Sequence, residues 1–390
     1  MHFEPTPEQH AIREAVQDVC RRFPDAYWRA RDDDGRFPFE FYDAMGQAGW
    51  LGIAIPEAHG GSGLGVSEAA LMMQTVAESG ACLSGCSSIH INIFGLLPVV
   101  VFGSDEQRAR MLPPMARGEV KSCFAVTEPD AGLNTTRLKT RAVRHGDRYV
   151  VHGQKLWIST AQVADKMLLL ARTTALEDLA PGNKTGGLSL FYTDLDRRHV
   201  DVRAIDKMGR KCVDSNELFI DGLEIPLQDR IGEEGQGFRY ILHGMNPERI
   251  LLAAEAVGVG RAALAKATAY ARERVVFDRP IGQNQAIQHP LAESWVELQA
   301  AELLTCKAAW LCDQGRDCGA EANAAKYLAA EAGFRACERA VLTHGGMGYS
   351  KEFHVERYLR EIMIPRIAPV SRELILSHIA ERVLGLPKSY

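Results

Sequence analysis

The chain has 390 residues, a length at which two or three domains are expected. Hydrophobic residues make up 46% of the sequence and charged residues 24%, which excludes an intrinsically disordered chain. The formal net charge of −5 argues against a general nucleic-acid-binding protein, although it leaves room for a local basic patch.

Cysteine usage and the first residues favour a cytoplasmic location. The nine cysteines include no CxxC pair, and no His pair at zinc-ligand spacing lies near them, so we expect reduced thiols and no metal site. The N-terminus lacks the basic and apolar segments of a signal peptide. The longest apolar runs, such as residues 96–102, are far shorter than the roughly 20 residues of a membrane span, so we expect none.

Residues 1–120 are predicted to form an N-terminal helical domain. Thr6, Pro7 and Gln9 make a helix start, with Thr as the N-cap, Pro as the first helical residue and a carboxamide three residues after the cap. Further helices are predicted near residues 39–48, 67–78 and 87–102. Ser67 is the expected N-cap of the second of these, and the last is apolar almost all round, so it should be buried.

Residues 121–231 change period and are predicted to form a middle β domain. Short β-rich runs alternate with turns, which is typical of a small antiparallel sheet or barrel. The runs cover residues 148–152, 154–159, 167–171, 188–193 and 217–220.

Residues 232–390 return to the helical period and are predicted to form an up-down four-helix bundle. Its long helices are predicted over residues 247–274, 285–314, 319–345 and 370–384. Asn246 is a favourable N-cap and Pro247 a favourable first residue for the first helix, so Glu248 is expected in the first turn.

Four segments of the sequence carry the functional signal. They read FAVTEPDAG at residues 124–132, GQKLWIS at 153–159, RERVVF followed by PIG and Gln at 272–285, and HGGMGY at 344–349. Together, in this order and on this architecture, they closely resemble the acyl-CoA dehydrogenase family, and the resemblance covers almost the whole chain. It implies a mainly α fold with an N-terminal helical domain, a middle β-barrel and a C-terminal four-helix bundle.

The resemblance also implies an activity. The family uses FAD to dehydrogenate an acyl-CoA thioester to the trans-2-enoyl-CoA, with a base that removes the α-proton while the β-hydride goes to the flavin. A homotetramer and an electron-transfer flavoprotein as the electron acceptor are implied as well. The length and branching of the acyl group stay open, as does the choice between CoA and a carrier protein as its thiol.

Several residues in the four segments have properties that suit a flavin cofactor. Trp157 offers a flat wall for the ring, and Thr127 with its neighbouring backbone offers hydrogen bonds, although alone they also fit a core residue and a turn residue. Arg274 is a fixed cation suited to a pyrophosphate, and Gly345 and Gly346 permit close approach of a phosphate or ribityl chain. The resemblance assigns to FAD the residues Phe124, Val126, Thr127, Gly132, Leu133, Trp157, Ile158, Ser159, Arg274, Phe277, Gln285, Gly345, Gly346 and Ser371.

Three of these residues are expected to act between subunits. Arg274, Phe277 and Gln285 match residues that reach the adenine-dinucleotide part of FAD bound mainly by a neighbouring subunit. Leu342 and Glu373 stand where FAD-contacting Gln residues are usual in the family, so those contacts must be made differently here.

The catalytic base is where the sequence departs from most of the family. The usual Glu position, in the segment 367–371, is held by Pro369, so no base is there. The isovaleryl-CoA and long-chain branches instead carry Glu at the start of the long bundle helix, just before an Arg, and Glu248 with Arg249 matches that pair. Without the resemblance, Glu248 would read as a first-turn residue stabilised by the helix dipole by about 0.3–1 kcal/mol. Burial against flavin and acyl chain opposes the charged form and suits a general base.

The thioester-binding residues contain a second departure. In the family, a backbone N–H near position 369 holds the thioester carbonyl. Because proline has no N–H, Ala368 or Val370 must donate here, or the donor is missing. Leu133 replaces a Ser that is often found near the pantetheine arm, and the acyl-tail pocket is expected around residues 90–94. The resemblance assigns to the substrate the residues Asn246, Arg249, Leu133, His90, Phe94 and Ala368.

Two other functions stay open at this point. One is a flavin monooxygenase or oxidase on the same fold, which Glu248 argues against because such enzymes tend to lack the base. The other is a non-catalytic acyl-thioester-binding protein or a subunit of a heteromer, for which Pro369 and Leu133 are the signals.

Overall fold

A computed structural model of the chain describes residues 5–389. The expectation about a signal peptide concerns the first residues and lies outside the described part. Helices occupy the two ends of the chain and a sheet occupies the middle, which is the predicted order.

The helices predicted at residues 39–48 and 67–78 are present to within two residues, whereas the helices over residues 25–34 and 105–116 were not predicted. The N-terminal part of the described chain contains seven α-helices. Their bounds are α1 (Pro7–Cys20), α2 (Asp25–Asp34), α3 (Phe39–Gln47), α4 (Val66–Val76), α5 (Cys82–Phe94), α6 (Leu97–Phe102) and α7 (Asp105–Ala116). The predicted capping box is confirmed, because the Thr6 hydroxyl accepts a hydrogen bond from the Gln9 N–H and the Gln9 side chain accepts one from the Thr6 N–H, both at 3.2 Å. The helix predicted over residues 87–102 is divided into α5 and α6, and Pro98 lies in the first turn of α6.

The start of α4 is capped from a distant part of the chain. Ser67 was expected to be its N-cap, but the helix begins at Val66. The carboxylate of Asp313 accepts hydrogen bonds from the N–H groups of Val66 at 2.6 Å and Ser67 at 3.0 Å. A side chain of the C-terminal domain therefore satisfies the free donors that Ser67 was expected to satisfy.

The middle of the chain forms one eight-stranded sheet. Its strands are β1 (Ser122–Ala125), β2 (Arg141–His145), β3 (Arg148–Ser159), β4 (Lys166–Arg172), β5 (Leu188–Asp194), β6 (Val200–Ala204), β7 (Ser215–Pro226) and β8 (Arg230–Ile231). The strand order is β6-β7-β3-β2-β4-β5-β8, with β1 parallel to β4. The two runs predicted at 148–152 and 154–159 are one strand, β3, whose register against β7 shifts between Val151 and His152.

The C-terminal domain contains the predicted long helices to within two residues at each end. Its elements are α8 (Gly237–His243), α9 (Met245–Glu273), β9 (Val275–Val276), β10 (Arg279–Pro280), α10 (Gln285–Asp313), α11 (Gly319–His344), α12 (Gly346–Tyr349), α13 (Val355–Glu361), α14 (Ile364–Ile367) and α15 (Arg372–Arg382). Asn246 is not the N-cap of α9, because α8 ends directly before Gly244, which takes that position. Glu248 nevertheless lies in the first turn, as predicted.

The two helical domains share one hydrophobic core. Buried side chains of α4 and α5 pack in the same cluster as those of α9, α10 and α11, whereas two further clusters include the buried side chains of the sheet. The helical stretch Val66–Phe102 has the length and mean hydropathy, 1.7, of a membrane span, but 67% of its most apolar window is buried inside the fold. Its apolar character is therefore accounted for by core packing.

Candidate active site

The carboxylate of Glu248 is buried between α9 and α5. Its side chain lies in the first turn of α9, and the residue is 7% exposed. One carboxylate oxygen lies 3.6 Å from Nε2 of His90 on α5. The other oxygen, Oε2, has no hydrogen-bond partner among the described residues. A buried carboxylate with a free oxygen is the group that a general base requires.

His90 connects Glu248 to a second buried carboxylate. Its Nδ1 lies 2.6 Å from Oε1 of Glu255, which is 1% exposed and lies two turns after Glu248 on α9. Burial alone would lower the pKa of His90, but Glu255 and Glu248 outweigh burial and raise this pKa to about 10. The imidazole is therefore a cation at neutral pH.

Two further cations lie near Glu248. The Arg249 guanidinium donates a hydrogen bond from Nη1 to Oδ1 of Asn246 at 3.0 Å, and burial lowers the pKa of Arg249. Lys326 on α11 is 1% exposed, and burial lowers its pKa to about 8 although Glu248 acts in the opposite direction. Sequence reasoning found Asn246 and Arg249 but missed Lys326, which comes to the site from another helix.

One of the two backbone donors expected beside Pro369 is free and the other is not. The Ala368 N–H donates to the carbonyl of Ile364 at 2.9 Å and so closes the end of α14. This corrects the expectation that Ala368 is available for a thioester carbonyl. The Val370 N–H has no acceptor among the described residues, and the Val370 carbonyl accepts a hydrogen bond from Lys326 at 2.6 Å. Of the two expected donors, Val370 is therefore the one that remains available.

The flavin segments present an exposed aromatic ring beside free backbone donors. Trp157 lies near the end of β3 with a φ of 61° and is 55% exposed. The N–H groups of Val126 and Thr127 donate to no acceptor within residues 5–389, whereas their carbonyls accept from Lys155 and Leu156. An open ring face with unused donors nearby fits the isoalloxazine of FAD.

A buried ion pair fixes the two flavin segments to each other. The ammonium of Lys155, which is 0% exposed, donates to the carbonyls of Val126 at 3.0 Å and Leu170 at 2.7 Å and to the Glu128 carboxylate at 2.9 Å. Glu128 also accepts from the N–H groups of Lys139 and Thr140 at 2.6 and 3.0 Å. Both charges are fully hydrogen-bonded, which offsets their burial.

Other predicted flavin residues contribute backbone or packing. Phe124 is half-buried, and its ring lies 5.5 Å from that of Phe94 on α5. Ile158 is 1% exposed, and its carbonyl accepts a hydrogen bond from Asn216. Gly132 and Leu133 are both exposed.

Arg210, which sequence reasoning missed, joins the flavin wall to the acyl-tail helix. It has a φ of 56°, and its guanidinium donates to the hydroxyls of Ser87 on α5 at 2.9 Å and Ser159 at the end of β3 at 3.2 Å. No local pattern marks it, because it lies in an irregular loop before β7. It places predicted flavin residue Ser159 next to the helix that carries His90.

The predicted FAD residues of the C-terminal domain lie at the surface. Arg274 and Gln285 are exposed, and Phe277 is 93% exposed with a φ of 52°. The Arg274 side chain has no ion-pair partner in the described chain. Within the described chain, none of the three is hydrogen-bonded to residues 124–132 or 153–159.

The last predicted FAD residues, Gly345, Gly346 and Ser371, differ in how much space surrounds them. A Cβ added at Gly345, which has a φ of 59°, or at Gly346 would meet no atom within 4 Å, so a phosphate or ribityl chain has room to approach. Ser371 caps α15, and its hydroxyl accepts from the Leu374 N–H at 3.3 Å. Taken together, the open ring face, the free donors and the free guanidinium fit FAD.

Comparison with known proteins shows which family the chain resembles. Sequence models of the acyl-CoA dehydrogenase N-terminal, middle and C-terminal domains match residues 6–119, 123–223 and 235–384. Acyl-CoA dehydrogenase FadE12 of Mycobacterium tuberculosis (strain ATCC 25618 / H37Rv) is 36% identical over 392 residues, which cover 100% of this chain and 99% of the relative.

Solved structures share the fold. Butyryl-CoA dehydrogenase from Megasphaera elsdenii superposes with a TM-score of 0.92 at 27% identity, covering 98% of this chain and 100% of its own. The FAD complex of PigA superposes with a TM-score of 0.92 at 26% identity, covering 99% and 100%. The fold class expected from the sequence is confirmed.

Replacing Lys155 by Met should destabilise the protein and release its cofactor. The change leaves Glu128 as an unpaired buried charge, which costs about 3–5 kcal/mol. The free energy of unfolding in urea and the FAD content after desalting measure both effects. Lys139→Met is the matched control, because it breaks an exposed ion pair with Asp130 in the same segment and should stay close to wild type. Equal stability of the two variants would contradict the role given to Lys155.

Proposed function

The chain belongs to the acyl-CoA dehydrogenase family, and on that basis we propose that it dehydrogenates an acyl thioester to the trans-2-enoyl thioester with Glu248 as the base. Like other members of the family, it is a flavoprotein oxidoreductase that depends on FAD. The observation that carries the proposal is the buried Glu248 carboxylate with one oxygen free. When bound, the flavin supplies the acceptor for the β-hydride.

Each group of the chain has a defined part in the proton transfer. Glu248 accepts the α-proton on its free oxygen, because that oxygen is the one without a protein partner. The Val370 N–H donates to the thioester carbonyl and stabilises the charge that develops there as the proton leaves. Phe94 on α5 is the proposed start of the acyl-tail pocket, and its ring lies 4.9 Å from that of His90. The Arg249 guanidinium donates to Asn246 at the start of α9.

We propose an electron-transfer flavoprotein as the electron acceptor. A relative from Acetobacterium woodii, named caffeyl-CoA reductase-Etf complex subunit CarC, is 34% identical and covers 85% of this chain and 86% of its own. The thiol of the substrate is proposed to be CoA, with a carrier protein as the alternative. A cytoplasmic location stays a prediction of the sequence.

We also propose a homotetramer. Support comes from large apolar side chains that one chain leaves exposed, including Trp295 at 58% and Trp310 at 51% on α10 and Phe277 after α9. Contacts between copies would cover them and bring Arg274 to a neighbour's FAD. Light scattering of the holoenzyme should give four times the mass of the chain, and a single chain mass would contradict this assembly.

The two alternatives, a non-catalytic acyl-thioester-binding protein and a flavin monooxygenase or oxidase, have less support. A non-catalytic protein gives no reason for a free carboxylate oxygen and a free Val370 donor in one site. A monooxygenase or oxidase is tested by the rate at which oxygen reoxidises the reduced flavin, because this rate is slow in the proposed dehydrogenase with bound product.

Replacing Glu248 by Gln should abolish turnover without loss of either ligand. Gln keeps the shape of the side chain but removes the basic oxygen, so anaerobic flavin reduction by acyl-CoAs of varied length and branching should slow by at least about 10²-fold. FAD content and acyl-CoA binding should stay at wild-type levels. Glu338→Gln, an exposed change on α11, is the control. Flavin reduction by Glu248→Gln at the wild-type rate would contradict the assignment of Glu248 as the base.

The Val370 N–H should hold the thioester oxygen. We expect a crystal structure with a bound acyl-CoA to place that N–H within about 3.2 Å of the carbonyl oxygen, in the range of an N–H···O bond. The Ala368 N–H should still bond to Ile364. A complex in which no protein N–H reaches the carbonyl oxygen would contradict this and favour the non-catalytic alternative.

Replacing Arg274 by Ala should weaken FAD binding. Loss of a charge-assisted hydrogen bond to a pyrophosphate should raise the dissociation constant of FAD about tenfold or more. Fluorescence titration of the apoprotein with FAD measures it. Arg272→Ala removes an exposed cation from the last turn of the same helix and serves as the control. Identical FAD affinity in both variants would contradict the assignment of Arg274 to FAD binding.

A further inference from the structure

Three ionisable side chains form a buried row across two helices. Glu248 and Glu255 are seven residues apart on α9, so they lie on one face, about 10.5 Å apart along the axis. His90 projects from α5 between them, with Nδ1 at 2.6 Å from Glu255 and Nε2 at 3.6 Å from Glu248. We call these three residues the carboxylate–imidazole cluster.

The position of His90 between two carboxylates favours a proton on each ring nitrogen. Each nitrogen faces a carboxylate oxygen, and a neutral ring would turn a lone pair toward one of them. The short contact to Glu255 has the length of a charge-assisted hydrogen bond. The contact from His90 Nε2 to Glu248 Oε1, at 3.6 Å, is too long for a hydrogen bond, and neither His90 Nε2 nor Glu248 Oε2 has a hydrogen-bond partner in the described chain. Glu255 therefore holds the ring, and Glu248 keeps its oxygens available.

Other titratable groups surround the cluster from each neighbouring element. They are Cys86 on α5, Arg249 on α9, Lys326 on α11 and Arg210 in the loop before β7. The Cys86 thiol is neutral, because burial raises its pKa well above the usual value. The two arginines are fixed cations. Lys326 has a pKa of about 8. Because every variant compared below contains Lys326, its titration does not account for differences between their pH profiles.

We propose that Glu255 and His90 are positioning residues for Glu248: the Glu255 carboxylate keeps the His90 imidazole cationic, and this cation keeps the base ionised inside the buried site. The inference rests on the proposed function, since it concerns the same base. In the reaction, one proton moves from the α-carbon to a Glu248 oxygen. His90 keeps both protons, so the net charge of the cluster changes from −1 to zero.

This arrangement explains how a buried carboxylate can stay charged and act as a base. Expulsion of water by an acyl chain disfavours a charged carboxylate, and a neighbouring cation opposes that effect. Without Glu255, burial would neutralise His90 in the range where enzymes work, and Glu248 would hold a proton at higher pH. A protonated Glu248 accepts no α-proton, so the reaction would need a more alkaline solution.

The test is the pH profile of anaerobic flavin reduction by an acyl-CoA that reduces the wild-type holoenzyme. Glu255→Gln should move the acid limb of this profile up by about one pH unit or more, a roughly tenfold loss of rate below the limb, with recovery at high pH. His90→Gln and the double variant should show the same limb as Glu255→Gln, because all three lack the same cation. Glu302→Gln, which removes a partly buried carboxylate between α4, α9 and α10, should leave the limb in place.

Acid limbs of Glu255→Gln and His90→Gln that superimpose on the wild type would overturn the proposal. A uniform loss of rate at every pH would also overturn it, because this is the result of a structural role alone. His90→Lys provides a rescue, since a fixed cation in place of the imidazole should return the limb toward its wild-type position.

A second measurement does not depend on turnover. A His whose pKa is raised from 6.5 to about 10 by folding stabilises the fold fully below pH 6.5, and the stabilisation is lost as the pH rises through 10. Thermal unfolding of the holoenzyme should therefore show Glu255→Gln well below wild type at pH 6, with the gap closing toward pH 10. A gap that does not change with pH would overturn the cationic state of His90. Failure of the proposed function appears differently, as wild-type flavin that no acyl-CoA bleaches.

Discussion

Keeping a carboxylate ionised in a buried site is the constraint on which the active site depends. Glu248 is almost fully buried, and a lone buried carboxylate would take up a proton and lose its function as a base. Three cations from different elements lie near this carboxylate: His90 on α5, Arg249 on α9 and Lys326 on α11. The proposed base therefore depends on the packing of these helices and not on Glu248 alone.

The contacts around Glu248 also join the two helical domains. The contact between Glu248 and His90 joins α9 of the C-terminal domain to α5 of the N-terminal domain. The same two domains are tied again where Asp313 caps the start of α4. On the other side of the site, the buried pair of Lys155 and Glu128 fixes the two flavin segments of the sheet. Proton acceptor and cofactor wall are thus held by separate rigid supports.

The sequence predicted the long elements well because their hydrophobic period is strong. The helices α9, α10 and α11 differ from prediction by at most two residues at each end, and Glu248 is in the first turn where it was expected. Boundaries decided by tertiary contacts were missed. The cap of α4 comes from Asp313, and Gly244 rather than Asn246 precedes α9 because α8 runs into it. Neither contact has a local sequence signal.

In the site as well, residues with a local sequence signal were predicted and those placed by tertiary contacts were not. Glu128 and Lys155 lie inside motifs that were recognised, but their pairing depends on the register of two strands. Glu255 could have been found from its seven-residue spacing to Glu248, which places both on one helix face. Arg210 and Lys326 come from elements distant in sequence, so only the fold brings them in. Ala368 was expected to be a free donor, and the closing hydrogen bond of α14 uses it instead.

The central claim is that Glu248 takes the α-proton, and exchange of that proton tests it most directly. A 3-thiaacyl-CoA has sulfur at the β position, so it has no β-hydride to give and reports the proton step alone. In D₂O, wild-type holoenzyme should incorporate deuterium at the α-carbon of this analogue, measured by mass spectrometry, and Glu248→Gln with its FAD and ligand bound should not. Incorporation by Glu248→Gln at the wild-type rate would contradict the account and place the base elsewhere.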